Sequence, residues 1–483
     1  MEEEKTMTQK DELAWKSALE LSYLIRTKKI SPVEVVEICL ERIDRINPII
    51  NAFCTLIPEQ ARESAKLAES QVMKGISLGP LHGIPIAIKD LTPVKGVRLT
   101  MGSKLYAEQV ATEDAIVVKR IKQAGGIIVG MTNTPEFGFK GTTDNLLFGA
   151  TRNPWKLDRI SGGSSGGSSA AVAAGLVPFA EGSDGGGSIR IPAAICGVYG
   201  YKATYGRIPY ETVGPFYSQA PFIHFGPIAR TVSDAALLYS VMDGSAEDEP
   251  FTFPIKENIF ETLETGIQNL KVAYCPDLGF FEIDPEVRKA CDNATGIFKE
   301  LGCIVEEVNP RFENPKKNIE EAWATLWYGM VATSHGSLSQ DKLELLDPKV
   351  QEFIKLGKEL KATEYIQANK AREEAWSKLQ NIFKEYDIII CPTTAVPAFS
   401  LDTWGPTEIN GKPINPFHGW FLTYPINLTG HPAASIPCGF SGEGLPIGLQ
   451  IIGRRLEDET VFRASRAFER LSPWSEMRPQ FQS

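Results

Sequence analysis

Basic residues are in short supply in this chain. Its 50 lysines and arginines face 60 aspartates and glutamates, a net charge of −10. A surface of that sign disfavours nonspecific binding to nucleic acid, which needs a cationic face. Histidine is scarcer still: there are five, and none share an HExxH spacing, so a metal site has little support. The eight cysteines, Cys39, Cys54, Cys196, Cys275, Cys291, Cys303, Cys391 and Cys438, form no CxxC pair. They read as reduced, mostly buried thiols of a cytoplasmic protein. No apolar run reaches the roughly 18 residues of a membrane span. The opening MEEEKTMTQKDE is acidic and polar, the opposite of a secretory signal. No internal repeat and no long linker divides the chain. With 43% hydrophobic and 23% charged residues, the composition argues against disorder and a large core is expected.

What is abundant is glycine, 42 residues, and nine of them crowd into one stretch. Ser161 to Pro192 reads SGGSSGGSSAAVAAGLVPFAEGSDGGGSIRIP. Two glycine-serine clusters flank a run of small residues, Ala170 to Gly175. The spacing predicts a helix of almost no side-chain volume over 170–174, then a short apolar strand over 176–180. The chain then turns at Asp184-Gly185-Gly186-Gly187-Ser188 and enters another helix at Ile189. Ser188 thus stands near a helix N-terminus behind three glycines, where main-chain N–H groups can face an anion. A serine there has an oxyanion hole within reach. A flexible Gly-Ser linker is the competing reading, and the ordered segments on both sides argue against it. No GxxxxGK[ST] follows, so a phosphate loop is not supported. The G-x-S-x-G elbow also fails, because Arg190 stands where its last glycine would be.

The rest of the chain alternates helix, glycine and strand, the pattern of α/β layering. A helix is expected over 13–29. A second opens at the capping box Ser31-Pro32-Val33-Glu34 and ends before Asn47-Pro48, and a third covers 58–74. In GPLHGIPIAIKD, residues 79–90, Ile84, Ile86 and Ile88 alternate with Pro85, Ala87 and Lys89. That is a strand, with Lys89 directed away from the isoleucine face. A helix near 114–123 and a strand at 127–129 follow. Residues 226–242 read as loop then helix, and strands at 270–275 and 303–308 enclose a helix at 285–301. Residues 310–385 are mostly helical. A strand at 387–391, a hairpin of 435–440 with 445–452, and a helix at 458–471 close the chain. One α/β domain spans 1–483. It comprises an N-terminal helical section (10–75), a core (79–309), a helical insert shaping a pocket (310–385) and C-terminal strands and helix (386–471).

Hydrolysis of an amide needs a nucleophile, a base, an acid for the leaving nitrogen and oxyanion donors. With no histidine in a motif, lysine can be the base if burial lowers its pKa. GGSSGGSS at 162–169 and SDGGGSIRIPAAICGVYGYKATYGRIP at 183–209 resemble the signature of the amidase signature family. PLHGIPIAIKD resembles its lysine-bearing segment. NPWKLDR, YDIIICPTTAVPA, INLTGHPAASIPCGF and LPIGLQIIGR match as well, so the resemblance covers about residues 12–471.

The resemblance implies a large mixed, twisted β-sheet covered by helices on both faces. It implies Ser188 as nucleophile, Ser164 as a cis-peptide bridging serine and Lys89 as base. Gly185, Gly186, Gly187 and Ser188 would supply the oxyanion N–H groups. Ser165 would support the relay by hydrogen bonding, and Asp184 and Arg190 would form a structural ion pair holding the glycine turn. At Gly185 other members often carry a larger residue, a departure that affects the pocket's shape. Gly138, through its backbone, and Phe139 are expected to line the substrate pocket. Further aromatic candidates are Trp323, Trp327, Tyr328, Phe216, Phe222 and Phe225, though aromatics at such spacing are more often core. No metal or cofactor is expected. The partner is a small amide or carbamate, with no nucleic acid and no membrane, and the protein is a monomer or homodimer. The general pattern leans toward free-standing bacterial aryl acylamidases, urethane-cleaving amidases and nylon-oligomer hydrolases. The rivals are the glutaminase component of a tRNA-dependent amidotransferase and a noncatalytic binding protein on the same scaffold.

Overall fold

The computed structural model describes residues 11–76, 78–210, 222–254 and 258–481. Its frame is an 11-stranded sheet. Across the sheet the strands run Phe53–Leu56, Ile127–Thr132, Pro85–Lys89, Phe179–Asp184, His224–Ala229 and Tyr199–Lys202. They continue with Ala433–Phe440, Pro446–Gly453, Ile388–Pro392, Lys271–Tyr274 and Ile304–Glu307. Pro85–Lys89 is parallel to both of its neighbours, while the C-terminal hairpin is antiparallel. The sheet is therefore mixed, as expected. Strands from residue 53 to residue 453 share it, so it does not divide along the chain.

The alternation around Lys89 has the predicted physical consequence. Ile84, Ile86 and Ile88 join a core with Val117, Val118 and Ile121 of the helix Ile116–Gln123. Ala87, on the opposite face, joins Ala170–Ala174 and the helices Pro32–Ile50 and Pro58–Met73. Helices thus cover both faces, and the strand is buried along its whole length. Lys89 shares the Ala87 face, over which the glycine-serine segment packs. Among the described residues, no helix is long and apolar enough to cross a membrane.

Several boundaries differ from the sequence reading. The helix expected over 13–29 breaks at 15–17, because Ser17 opens a new helix, Ala18–Arg26, with its own capping box to Glu20. Pro48 does not end its helix. It lies in the last turn of Pro32–Ile50, where it forfeits one main-chain bond, and Asn51 closes the helix in a left-handed conformation. The small-residue helix begins earlier, at Gly166, and ends at Ala173. The strand expected over 176–180 is Phe179–Asp184. Its second half is polar yet buried, so hydrophobicity alone misplaced it. The segment read as loop from Gly226 lies within the strand His224–Ala229, where Gly226-Pro227 masks the alternation.

Candidate active site

Two loops and one strand end meet on one side of the sheet. The Lys89 strand ends there, and its side chain is fully buried. Lys89 Nζ lies 2.7 Å from Ser164 Oγ and 3.0 Å from Ser183 Oγ. The Gly163–Ser164 peptide is cis. The first glycine-serine loop is tied to the second by the Ser165 N–H, which donates to the Ser188 carbonyl at 3.0 Å. Ser165 Oγ donates to the Ser183 carbonyl at 3.2 Å. Ser164 and Ser188 are 2% and 8% exposed and open on the same cleft.

Burial disfavours the charged form of Lys89 and holds it well below the usual lysine range. The carboxylates of Glu181 and Asp184 draw it back up in part. A neutral amine at that position can accept a hydroxyl proton.

The glycine turn is held from below. Asp184 and Arg190 are both fully buried and pair in a fork, Nε to Oδ2 and Nη2 to Oδ1, each at 2.9 Å. Burial alone would raise Asp184, but the Arg190 guanidinium outweighs it and holds the carboxyl far below the usual range. Asp184 also accepts the Gly187 N–H at 2.7 Å and the Ile189 N–H at 3.2 Å. Gly187 is therefore engaged by Asp184 and is not a free oxyanion donor, contrary to expectation. Among the described residues the N–H groups of Gly185, Gly186 and Ser188 donate to no protein acceptor. The carbonyls of the same loop are occupied: Gly186 O accepts Thr423 Oγ1 at 2.5 Å and Gly185 O accepts Trp323 Nε1 at 3.4 Å. Gly187 has φ +130°, and a Cβ there would fall 2.0 Å from Thr423 Oγ1, so only glycine fits.

Arg190 also bonds Thr423 O, Asn427 Oδ1 and Gln450 Oε1. Arg190→Ala is expected to leave Asp184 charged and unpaired inside the protein, a loss of about 3–5 kcal/mol. Urea denaturation followed by circular dichroism would read it. Sequence reasoning assigned no role to Thr423, Asn427 or Gln450. The last two stand inside matched segments, INLTGHP and LPIGLQIIGR, which was the available signal.

The cleft has a volume of about 1530 Å³. Leu91, Phe137, Gly138, Tyr210, Ile223 and Trp327 line it beside the two serines. Gly138 is on this wall, but Phe139, expected on it, is not. It is 2% exposed and packs edge-on against Phe353, with rings 5.8 Å apart. It borders instead a space of about 10 Å³ behind Ser188, together with Trp323 and Phe417. Its neighbour Phe137 faces the cleft and stacks on His335 with ring centroids 4.0 Å apart. Burial holds His335 down to about 4, neutral at pH 7.

Trp327 reaches over the glycine turn. A Cβ on Gly185 would lie 2.9 Å from its ring, so the small residue at 185 is what lets the indole close down. Trp323 is stacked beneath Trp327. Phe222 and Phe225 are buried, and Tyr328 packs on Phe353. Phe216 lies outside the described residues. The ionised side chains on the cleft's described lining are Glu113, Lys358 and Lys361, all exposed.

A family model described as Amidase matches residues 34–462. The chain is 39% identical over 471 residues to an acylamidase of Rhodococcus erythropolis, covering 97% of this chain and 98% of that protein. It is 37% identical over 494 residues to a glutamyl-tRNA(Gln) amidotransferase component of Geobacillus kaustophilus, covering 96% and 98%. Among solved structures it is similar to a bacterial aryl acylamidase of the amidase signature enzymes, with TM-score 0.91 and 34% identity over 96% of this chain and 97% of that one.

Proposed function

The chain belongs to the amidase signature family and is a hydrolase of amide C–N bonds; from that premise we propose that it cleaves uncharged amides bearing an apolar or aryl group, through a Ser188–Ser164–Lys89 relay within one domain. The observation that carries the relay is the buried contact of Lys89 Nζ with Ser164 Oγ at 2.7 Å, under the loop that bears Ser188. Ser188 Oγ attacks the carbonyl carbon, and its proton passes through Ser164 to neutral Lys89. The N–H groups of Gly185, Gly186 and Ser188 hold the developing oxyanion. Lys89 returns the proton through Ser164 to the leaving nitrogen as the C–N bond breaks. Water then cleaves the acyl-enzyme, releasing the acid and restoring Ser188.

The substrate class follows from the cleft wall. Leu91, Phe137, Ile223 and Trp327 offer apolar and aromatic surface, which suits an acyl or aryl group. A free amino acid such as glutamine would need a cation for its carboxylate and an anion for its ammonium beside the serines. The charged side chains of the described lining stand at the exposed rim instead. This favours a free-standing acylamidase over the glutaminase component of an amidotransferase. Across a panel of anilides, carbamates, aliphatic amides, oligoamides and glutamine, the highest kcat/KM is expected on anilides, with no ammonia released from glutamine. Glutamine turnover exceeding that on every anilide would overturn the assignment.

A further inference from the structure

The relay leaves one buried acid beside its base without a task. Glu181 is fully buried, on the strand next to that of Lys89, with Ala87 opposite Ala180. A carboxyl enclosed in a sheet is costly unless hydrogen bonds or a partner charge compensate it. Its Oε2 accepts the main-chain N–H of Lys89 itself at 2.9 Å, and its Oε1 accepts the Thr92 hydroxyl at 3.1 Å. Both oxygens thus act as acceptors, the arrangement of a carboxylate.

We propose that Glu181 is a positioning residue for the amidase reaction: its carboxylate clamps the Lys89 backbone from the neighbouring strand and keeps a negative charge behind the amine, so that Lys89 stays basic enough to take the serine proton. This rests on the reading of Lys89 as the base.

The surrounding charges are otherwise committed. Asp184 is locked to Arg190. Asp90 is turned to Thr100. Lys202 Nζ, whose charge burial disfavours, donates to the Ala203 and His431 carbonyls, and the His224 ring sits on the Asp184 carbonyl. Burial opposes the charge on both Lys89 and Glu181, lowering the lysine and raising the acid. Each charge favours the other, so the two titrate as a pair. Among the charges acting on Lys89, Glu181 is the first to oppose the effect of burial. Removing it makes the ammonium easier to deprotonate, which moves the onset of activity to lower pH.

The experiment is kcat/KM against pH on an uncharged anilide, for the wild type, Glu181→Gln, Glu181→Asp, Thr92→Val and Lys89→Ala. Glu181→Gln keeps the shape and loses the charge; its acidic limb is expected to move down by about one unit or more. Glu181→Asp keeps the charge and should lie between glutamine and wild type. Thr92→Val withdraws one donor from the carboxylate and should move the limb the same way by less, which keeps the test decisive if the glutamine variant does not fold. A purely structural Glu181 would lower activity at every pH without moving the limb. That result, with the limb abolished in Lys89→Ala, overturns the proposal and leaves the lysine base standing. A limb that persists in Lys89→Ala overturns both.

Discussion

Ser188→Ala is expected to lose amide hydrolysis by about 10⁶-fold in kcat, the scale seen when an acyl-transfer nucleophile is removed. The reason is local. The Ser188 hydroxyl makes no hydrogen bond among the described residues, whereas the Ser188 carbonyl and the Asp184–Arg190 pair hold the loop. The substitution therefore removes the proposed attacking oxygen and little else, and thermal unfolding should match the wild type. Ser164→Ala should retain weak turnover, since the nucleophile and the N–H groups of Gly185, Gly186 and Ser188 survive. Anilide turnover by both purified variants reads the difference. Near-normal activity in Ser188→Ala would remove the nucleophile from the account.

Lys89→Arg is expected to be nearly inactive at every pH, although it keeps a cation at the site. A guanidinium stays protonated in proteins and cannot accept the serine proton. On the proposed relay the active form of the wild type is the neutral amine. Because burial holds the folded pKa below the 10.4 of an exposed lysine, activity should rise with pH through that lowered ionisation, from the ammonium form to the amine, toward an alkaline optimum. Lys89→Ala should lose this limb and keep only slow, hydroxide-dependent turnover. If Lys89→Arg kept wild-type rates, the base would have to be another group. The pH–rate profile is the check, because a lysine that only fills the strand would leave its shape unchanged.

The parts of this site that were legible in the sequence are those whose geometry is local. The alternation of Ile84, Ile86 and Ile88 placed Lys89 on the opposite face. The glycines behind Ser188 implied a turn with free N–H groups. The Asp184–Arg190 pair lies six residues apart, and it forms. What the sequence could not show depends on contacts across the sheet. Glu181 and Ser183 sit in a strand whose apolar reading stopped at Ala180, and only the neighbouring strand reveals that Glu181 meets the Lys89 main-chain N–H and Ser183 its amine. The engagement of Gly187 by Asp184 needed the folded turn. Phe137 and Phe139 are two residues apart, but Phe137 has φ +51°, and that twist sends Phe137 to the cleft and Phe139 to the core. The helix running through Pro48 shows the same limit: the proline forfeits a main-chain bond there, but the helix carries on to bury Ile46 and Ile50 on either side of it.

The most direct test is to find the atom that carries the covalent intermediate. Wild-type protein would be treated with a fluorophosphonate probe, digested and mapped by mass spectrometry, with Ser188→Ala treated in parallel. The relay predicts one adduct in the wild type, on Ser188, and none on that segment in the variant. An adduct on Ser164, or an enzyme that hydrolyses anilides while Ser188 stays unlabelled, would contradict it.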